Sequence, residues 1–326
     1  MPQNAIVRAD GTGDYISLQT WVVGERDSDY GSAATARLDG FYDYPLANQL
    51  AYVNFGKDQT LWPNGARIEA FNPDDAFNGV ARRLCGFTTI AHKGILNYGH
   101  HIEMDGIEVH NTQESSYSGR GIAYENKGGF DGGYVDIRNC LFRSTITRTF
   151  AAVAINYSIG PGLTNCVLDS SDQGRPFRGD INLTGCSLFG NQTHDFHQGT
   201  VSDTVAVNYG AGKAFNSRTI QSNNASSDGT ADNLDNIVLA DNFMSDDIQT
   251  SEDYRRKSGS PIALAGIGFF IQPPAPPPPP PPPPGPPNPD AGISVVFAPN
   301  PYVAGYKDDT VSTSFKGITV KAGFKI

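Results

Sequence analysis

A six-residue pattern recurs along the middle of this chain and restricts the folds that it can adopt. Each copy has an apolar residue, two small or polar residues, an apolar residue, one residue of any kind and a last apolar residue. The copies begin at Met104, Ile137, Leu163, Leu183 and Leu234, with a weaker one at Val201. The intervals between their central residues are 33, 26, 20, 18 and 33. This variation excludes a strict consensus array, and the shorter intervals are close to one coil of a parallel β-helix.

Strand geometry explains the pattern. Residues two apart on a strand face the same side, so the fourth and sixth positions of each copy should point inward together. The Asn or Gly before the inward residue suits a bend that needs left-handed backbone. Stacked coils would align the central residues into one internal ladder: Ile107, Cys140, Cys166, Cys186 and Ile237. We therefore predict an all-β chain.

The four cysteines fit apolar packing better than chemistry. None belongs to a CxxC pair, and no histidine stands at zinc-finger spacing from one. In the ladder, three of them would act as small apolar side chains, a common use of buried cysteine. Metal ligation, a disulfide and a nucleophile remain the alternatives, and the sequence indicates no cofactor and no metal.

Both ends of a β-helix need covering, because open strand edges template aggregation. Near the N-terminus, Ser17 is placed to cap a short helix whose Leu18, Trp21 and Val22 share one face. At the other end, the segment EDYRRKSGSPIALAGIG is expected to close the repeats. The predicted body spans residues 1–272, with its clearest repeats in 101–240.

Proline is concentrated in one segment. Fourteen of the 23 prolines lie between Pro273 and Pro289, in PPAPPPPPPPPPGPPNP. Proline fixes φ and lacks an amide donor, so this segment should form a polyproline II rod of roughly 50 Å, at about 3.1 Å per residue. We assign residues 273–290 to a linker and residues 291–326 to a tail of net charge +2, leaving −11 on the body.

The charge and hydropathy of the chain exclude some functions. The net charge is −10, which argues against nucleic acid and anionic lipid as partners. No apolar run approaches the ~18 residues of a spanning helix, so membrane insertion is not expected. The start, MPQNAIVRADGTGDY, lacks the basic and apolar regions of a secretory signal, which predicts synthesis and folding in a cytosol.

Two terminal motifs resemble those of a known class of proteins. The opening DGTGDYISLQTWV is similar to the GTGDY-x-SLQ start of many phage-associated right-handed parallel β-helix proteins, both pectate-lyase-like and tailspike-like. The later DYR and GSPIALAG stretches resemble the "DYRL…GSPAIDAG" ending of that class. The resemblance covers about residues 6–266 and implies a right-handed single-stranded parallel β-helix. It says little about activity, because this fold serves enzymes, adhesins and structural proteins.

Enzymes of this class place carboxylates and cations in a groove along one face. The densest polar segments are DSSDQGRPFRGD and, about one coil later, THDFH. Two carboxylates at a suitable separation can divide acid and base roles, with a histidine as base and an arginine on a substrate carboxylate. The candidate catalytic residues are Asp169, Asp172, Arg175, Arg178, Asp180 and His197. We favour solvated turns for these residues, because no ordered lyase or glycosidase motif surrounds them.

Two further groups have open interpretations. His100 and His101, beside Glu103 and Asp105, suggest a metal site, but neighbours on a strand face opposite sides, so one packed and one exposed histidine is favoured. Five aromatic residues near the N-terminus suit either a sugar-binding or subunit-binding surface or the core of an early coil. They are Phe41, Tyr42, Tyr44, Tyr52 and Phe55.

The tail carries alternating apolar residues that indicate short strands. Its candidate anchoring residues are Ile293, Val295, Phe297, Tyr302, Phe315, Ile318, Val320 and Phe324. Thirty-six residues bury too little surface to fold alone, so the tail should fold on a partner or with copies of itself. A homotrimer and strand addition to a capsid surface both satisfy this requirement.

These observations favour a structural phage virion protein without enzymatic activity. It would be a capsid decoration or head fibre, made in the host cytoplasm and carried on the virion surface. Residues 291–326 would bind a capsid or other virion protein. The alternatives are a tailspike-like polysaccharide lyase or hydrolase and an adhesin for a host-surface glycan.

Overall fold

A computed structural model describes most of the chain. The described residues are 3–43, 53–58, 60–89, 93–112, 122–127, 133–144, 151–155, 159–170, 174–179, 181–190, 200–209, 213–215, 219–245, 253–270, 311–315 and 318–322. They belong to two compact units, Met1–Pro273 and Pro274–Ile326.

The first unit contains three sheets in which every pairing is parallel, and this confirms the predicted parallel β-helix. Strands are numbered in chain order. Sheet A contains β1 (Asn4–Val7), β2 (Ala34–Leu38), β5 (Ala66–Ala70), β8 (Ile102–Asp105), β11 (Tyr134–Arg138), β14 (Ile159–Thr164), β17 (Leu183–Thr184), β19 (Thr200–Ser202) and β21 (Ile220–Ser222). Sheet B contains β3 (Phe41–Asp43), β6 (Gly86–Thr89), β9 (Glu108–Asn111), β12 (Leu141–Ser144), β15 (Val167–Asp169), β18 (Ser187–Gly190), β20 (Val205–Asn208) and β22 (Ala225–Ser226). Sheet C contains β4 (Val53–Asn54), β7 (Lys93–Asn97), β10 (Ile122–Asn126), β13 (Ala151–Ile155) and β16 (Arg175–Gly179).

A sharp bend joins each of the sheet A strands β8, β11, β14, β17, β19 and β21 to the sheet B strand that follows it. The bend residue has left-handed backbone, with φ of 51° at both Asn139 and Asn165 and 62° at Gly185. Asparagine tolerates this conformation because its short polar side chain bonds locally, and glycine has no Cβ to clash. The Asn or Gly of the sequence pattern is therefore confirmed as the bend residue.

Inward side chains from the three sheets fill one continuous core. It includes Val109, Phe142 and Leu168 from sheet B and Tyr124 and Val153 from sheet C. Among the five N-terminal aromatic residues, Tyr42 and Phe55 are buried in this core, Phe41 is partly exposed, and Tyr44 and Tyr52 lie outside the described residues.

The N-terminal cap is confirmed. Helix α1 (Leu18–Glu25) begins after Ser17, whose side chain accepts a hydrogen bond from the Thr20 amide while the Thr20 hydroxyl bonds back to the Ser17 amide. This reciprocal pair satisfies two free amides of the first turn. Leu18, Trp21 and Val22 are buried against the first coils, as predicted.

The last predicted repeat is wrong. Ile237 was expected in the internal ladder, but it lies outside any strand, is partly exposed and packs with a second cluster outside the helix. Leu234 follows Ala225 by only nine positions, and the two residues form a parallel bridge. Nine residues are too few for a three-sided coil, although Asn236 keeps the left-handed bend with φ of 57°.

Residues 239–245 and 253–270, which we call the C-terminal segment, cover a flank of the helix. This position corrects the expectation that EDYRRKSGSPIALAGIG closes the end of the helix. The C-terminal segment includes α2 (Leu239–Asn242) and α3 (Pro261–Leu264), and it packs on the outer face of sheet B. The Phe77 ring lies 5.1 Å from that of Phe269. The second core therefore lies outside the coils. Its buried members are Phe77, Leu141, Val167, Phe189, Val205, Val207, Ala225, Phe243, Tyr254, Ile262, Ile267 and Phe269.

Polar side chains at successive bends form a series of hydrogen bonds, and backbone amides of residues 268–270 add to it. Asn139 donates to Asp105 at 2.8 Å, and Asn165 donates to Asn139 at 2.7 Å. The next bend residue is Gly185, which has no side chain to continue the series. There the amide of Phe269 donates to Ser187 Oγ at 2.9 Å, and the amide of Phe270 donates to Asn165 Oδ1 at 2.6 Å.

The second unit contains an antiparallel hairpin of β23 (Val311–Phe315) and β24 (Ile318–Ala322). Phe315 pairs with Ile318, and Thr313 pairs with Val320. Three predicted anchoring residues, Phe315, Ile318 and Val320, thus lie in these strands. The other five lie outside the described residues: Ile293, Val295, Phe297, Tyr302 and Phe324.

Candidate functional site

Outward positions of three neighbouring sheet B strands carry a row of ionisable side chains. The strand register places His110 of β9 beside Arg143 of β12, and Arg143 beside Asp169 of β15. Glu108 lies two residues before His110 and therefore shares its face. We call Glu108, His110, Arg143 and Asp169 the sheet B polar row.

The members of the sheet B polar row are paired and buried. His110 Nε2 lies 3.0 Å from Glu108 Oε2, and both side chains are 2% exposed. Arg143 Nε lies 3.4 Å from Asp169 Oδ2. Tyr254, from the C-terminal segment, donates from Oη to the same carboxylate oxygen at 2.7 Å.

Two chain segments cover this row: one contains residues 79–83, and the other is the C-terminal segment with Tyr254. The amide of Arg83 donates to Glu108 Oε2 at 3.3 Å, and the Phe41 ring meets the His110 ring edge-on with centroids 5.5 Å apart. The amide of Tyr254 donates to the Gly79 carbonyl at 2.7 Å, which joins the two covering segments. A histidine–carboxylate pair can move a proton, but at this degree of burial it offers no surface to a polymer. The sheet B polar row instead attaches the two covering segments to the coils.

The solvated-turn interpretation is wrong for Asp169. This residue ends β15 and is buried, because the outer face of sheet B is covered by the C-terminal segment. Arg178 is exposed and Arg175 partly exposed, and both lie in β16 of sheet C. Asp169 is instead paired with Arg143, which the sequence did not single out. Asp172, Asp180 and His197 lie outside the described residues.

All four cysteines are free, buried and stacked in one column. The amide after each inward residue donates to the carbonyl of the inward residue one coil earlier, as from Val167 to Cys140 and from Ser187 to Cys166. The amide of Glu108 donates to the Cys85 carbonyl at 2.9 Å, so Cys85 belongs to the same column, with Ile107 between it and Cys140. The sequence pattern did not include Cys85. The residue with left-handed backbone near it, Arg83, lies two positions before Cys85, whereas in the other copies it lies one position before the inward residue.

Burial suppresses ionisation of these thiols. Desolvation, with a smaller effect of the Glu108 carboxylate, raises the pKa of Cys85 to about 12. Desolvation also raises the pKa values of Cys140 and Cys166 well above the usual range. A thiolate is the nucleophile and the metal ligand, so these shifts support the packing role.

The two adjacent histidines differ as expected. His100 is buried and its Nε2 lies 3.2 Å from the Gly56 carbonyl oxygen, and desolvation lowers its pKa. His101 is partly exposed and its Nε2 lies 3.2 Å from Glu103 Oε1. Within the described ranges, no group of His, Cys, Asp and Glu is arranged to hold a metal ion.

A groove of about 390 Å³ lies on the C-terminal segment and was not anticipated from the sequence. Three consecutive cations, Arg255, Arg256 and Lys257, contribute to its lining. Each has an internal partner: Arg255 pairs with Asp253 at 2.7 Å, Arg256 donates to the Ile267 carbonyl, and Lys257 donates to the Ala240 carbonyl. The bonds of Arg256 and Lys257 join this stretch to α2 and to the residues in and after α3.

No protein-family model matches the chain, and no curated protein shows significant similarity to it. In the part of the chain that the structure describes, no helix is long and apolar enough to cross a membrane.

Proposed function

We propose that this chain is a structural component of a phage particle. The β-helix body is displayed, the polyproline linker acts as a spacer, and residues 291–326 attach the chain to a capsid or other virion protein. Decoration of the capsid is preferred to a tail fibre. A receptor-cleaving tailspike usually has a longer helix than this body and a large trimerising C-terminus, whereas the tail here has only residues 291–326.

The observation that carries this proposal is the change of architecture across the proline run. The body is built from parallel coils, whereas the second unit contains an antiparallel hairpin, β23–β24. A two-stranded hairpin is marginally stable alone and leaves backbone groups of both edges unpaired. Such an element suits attachment by strand addition to a partner sheet or by association of three tails.

The sheet B polar row supports a structural rather than a catalytic body. A depolymerase that used Asp169 would need its carboxylate to reach a polysaccharide, and this carboxylate is bonded to Tyr254 and paired with Arg143. For this reason we place the tailspike-like depolymerase second to the structural role. Loss of a measured depolymerase activity on host polysaccharide in an Arg178→Ala variant would favour it.

A transfer experiment tests attachment. Residues 273–326 are fused to an unrelated fluorescent protein and mixed with particles that lack the native chain. The proposal predicts that the fusion co-sediments with particles at a copy number close to that of the native chain. A control fusion that carries only residues 273–290 should not bind. Equal binding by the two fusions, or no binding by either, would contradict the proposal.

A further inference from the structure

Exposed apolar side chains are concentrated on the C-terminal segment. Among the described residues, ten large apolar side chains are exposed, and three of them lie on this segment: Met244, Leu264 and Phe270. Leu264 and Phe270 also line the groove of about 390 Å³ on the same segment, here called the C-terminal groove. Apolar side chains exposed together at a groove are typical of an interaction site.

The exposed Phe270 ring is held in a fixed position. Arg256 Cζ lies 5.0 Å from the centroid of this ring. The Phe270 amide donates to Asn165 Oδ1 at 2.6 Å, and the Phe270 carbonyl accepts from Asn165 Nδ2 at 2.8 Å. The neighbouring Phe269, which also lines the groove, is buried in the second core. These contacts form the groove wall in advance, which lowers the ordering cost of binding a ligand.

The polar part of the C-terminal groove is basic. Arg255, Arg256 and Lys257 all line it, and in the described part of the chain one carboxylate is paired with them, that of Asp253. Arg256 and Lys257 bond to backbone carbonyls, which carry no net charge. The lining therefore keeps an excess of two positive charges. The body as a whole has a net charge of −11, so the groove is a basic place on an acidic body.

We propose that the C-terminal groove binds a short acidic peptide segment of another protein. One apolar side chain of the peptide would lie against Leu264 and Phe270, and its carboxylates would bond to the three cations. Guanidinium and ammonium groups form charge-assisted hydrogen bonds with carboxylates, and these bonds are stronger than neutral ones. The Arg255 side chain is 46% exposed and can therefore reach such a ligand. The groove volume lies within the range of about 300–1,000 Å³ that is typical of ligand sites.

Other ligands fit the C-terminal groove less well. An alkyl chain needs an enclosed channel, whereas Leu264 is 79% exposed and Phe270 is 51% exposed. A long polyanion such as nucleic acid would be repelled by the net charge of −11 on the body. A neutral or basic peptide would leave the two positive charges without a counterion. This inference goes beyond the proposed function, because it concerns the body and not the attachment through residues 291–326.

Fluorescence anisotropy on the full-length chain, without particles, tests the inference. The probes are labelled pentapeptides with aspartate or glutamate at the first, third and fifth positions and leucine, phenylalanine or tryptophan at the others. We expect at least one probe to bind, and its affinity should fall as salt is added, because salt screens charges at an exposed site. Matched peptides with lysine in place of each acidic residue, or serine in place of each apolar residue, should bind more weakly.

Two variants test the apolar and the basic part of the groove. Leu264→Ser and Arg255→Gln should each lower the affinity about tenfold, because one loses an apolar contact and the other a charged donor. Ile220→Ser is the control for the first, because Ile220 is 69% exposed and lies in β21. Arg26→Gln is the control for the second, because the Arg26 side chain is 47% exposed and, like Arg255, is paired with a nearby carboxylate. Both controls should bind as the native chain does.

Unfolding midpoints of all variants, measured in parallel, separate loss of binding from loss of folding. If Arg255→Gln unfolds, Leu264→Ser decides the question. Three results would overturn the inference: no binding of any acidic probe, equal binding of the lysine or serine peptides, or equal affinities for Leu264→Ser and Ile220→Ser.

Two further results would assign the groove to another occupant and would also overturn the inference. One is tighter binding of dodecanoate or of a DNA oligonucleotide than of any peptide. The other is self-association of the full-length chain that Leu264→Ser abolishes, which would indicate a second copy. Peptide binding is measured on the isolated chain and attachment on particles, so failure of one proposal is distinguishable from failure of the other.

Discussion

Tyr254 Oη donates a hydrogen bond of 2.7 Å to Asp169 Oδ2, and it joins residues 85 positions apart in the interior of the protein. Arg143 lies on the other side of the same carboxylate. The C-terminal segment of the body is thereby bonded to a central coil of the helix. A charged acceptor in a water-excluded place makes this bond more valuable than a surface bond.

Tyr254→Phe should lower the free energy of unfolding by about 1–3 kcal/mol, because it leaves a buried carboxylate with one donor fewer. Denaturant unfolding measures the loss. Tyr134→Phe is the control, since that hydroxyl has no bond to any described residue, and its effect should be within about 0.5 kcal/mol. Equal effects of the two substitutions would show that the buried bond contributes nothing.

The coils could be predicted from the sequence because one pattern reports both the bend and the inward positions. Asn139, Asn165 and Gly185 supply the left-handed bends, and the residue after each one is inward. The placement of Asp169 could not be predicted in this way. Its burial depends on the C-terminal segment, which contacts sheet B from far away in the chain, and no local pattern reports such a contact.

The stacked cysteines should resist modification in the folded protein. A maleimide applied near neutral pH should label none of Cys85, Cys140, Cys166 and Cys186 until denaturant is added, because all four are buried. Cys166→Ser should cost about 1–3 kcal/mol, since it places a hydroxyl in an apolar column. Rapid labelling of all four thiols in the native protein would contradict the stacked arrangement.

Cys85 also predicts a pH dependence. Its pKa is raised from 9.0 to about 12 by burial, so the unfolded chain loses this proton at a lower pH than the folded chain. Its contribution to stability is complete below about pH 9 and declines as pH rises toward about 12. Unfolding of the native chain and of Cys85→Ala, compared between pH 8 and 11, should show their difference shrinking as pH rises. A constant difference would contradict the raised pKa.

Asn165 has two functions that substitutions can separate. Its left-handed φ of 51° disfavours alanine, and its amide bonds to Asn139 and to the Phe270 backbone. Asn165→Gly keeps the backbone conformation and loses the bonds, whereas Asn165→Ala loses both. We expect Asn165→Ala to be less stable than Asn165→Gly by about 1–2 kcal/mol.

Hydrogen exchange at the Phe270 amide, which donates to Asn165 Oδ1, provides the second readout for this residue. Exchange should accelerate in both variants, because each lacks the acceptor. Unchanged protection in Asn165→Gly would mean that the segment 268–270 is held without the side-chain ladder.

The C-terminal groove and the contact between the His101 and Tyr134 rings show another limit of sequence reasoning. The groove is lined by residues 255–270, which are brought together by the folding of that segment, and the two rings come from neighbouring coils. His101 and Tyr134 become a pair only through the register of β8 and β11, and Gly65 matters only because it lies beside them. The sequence pattern predicted the stacking of coils, but it did not give the register of outward residues between strands.

Occupancy of particles by a chain that ends at Gln272 tests the proposed attachment most directly. This truncated chain retains the coils, the cap and the segment that covers sheet B, so it should fold as a soluble β-rich protein. It should nevertheless be absent from purified particles that bind the full-length chain, because residues 291–326 make the attachment. Normal occupancy by the truncated chain would contradict this account and would place the binding surface on the body itself.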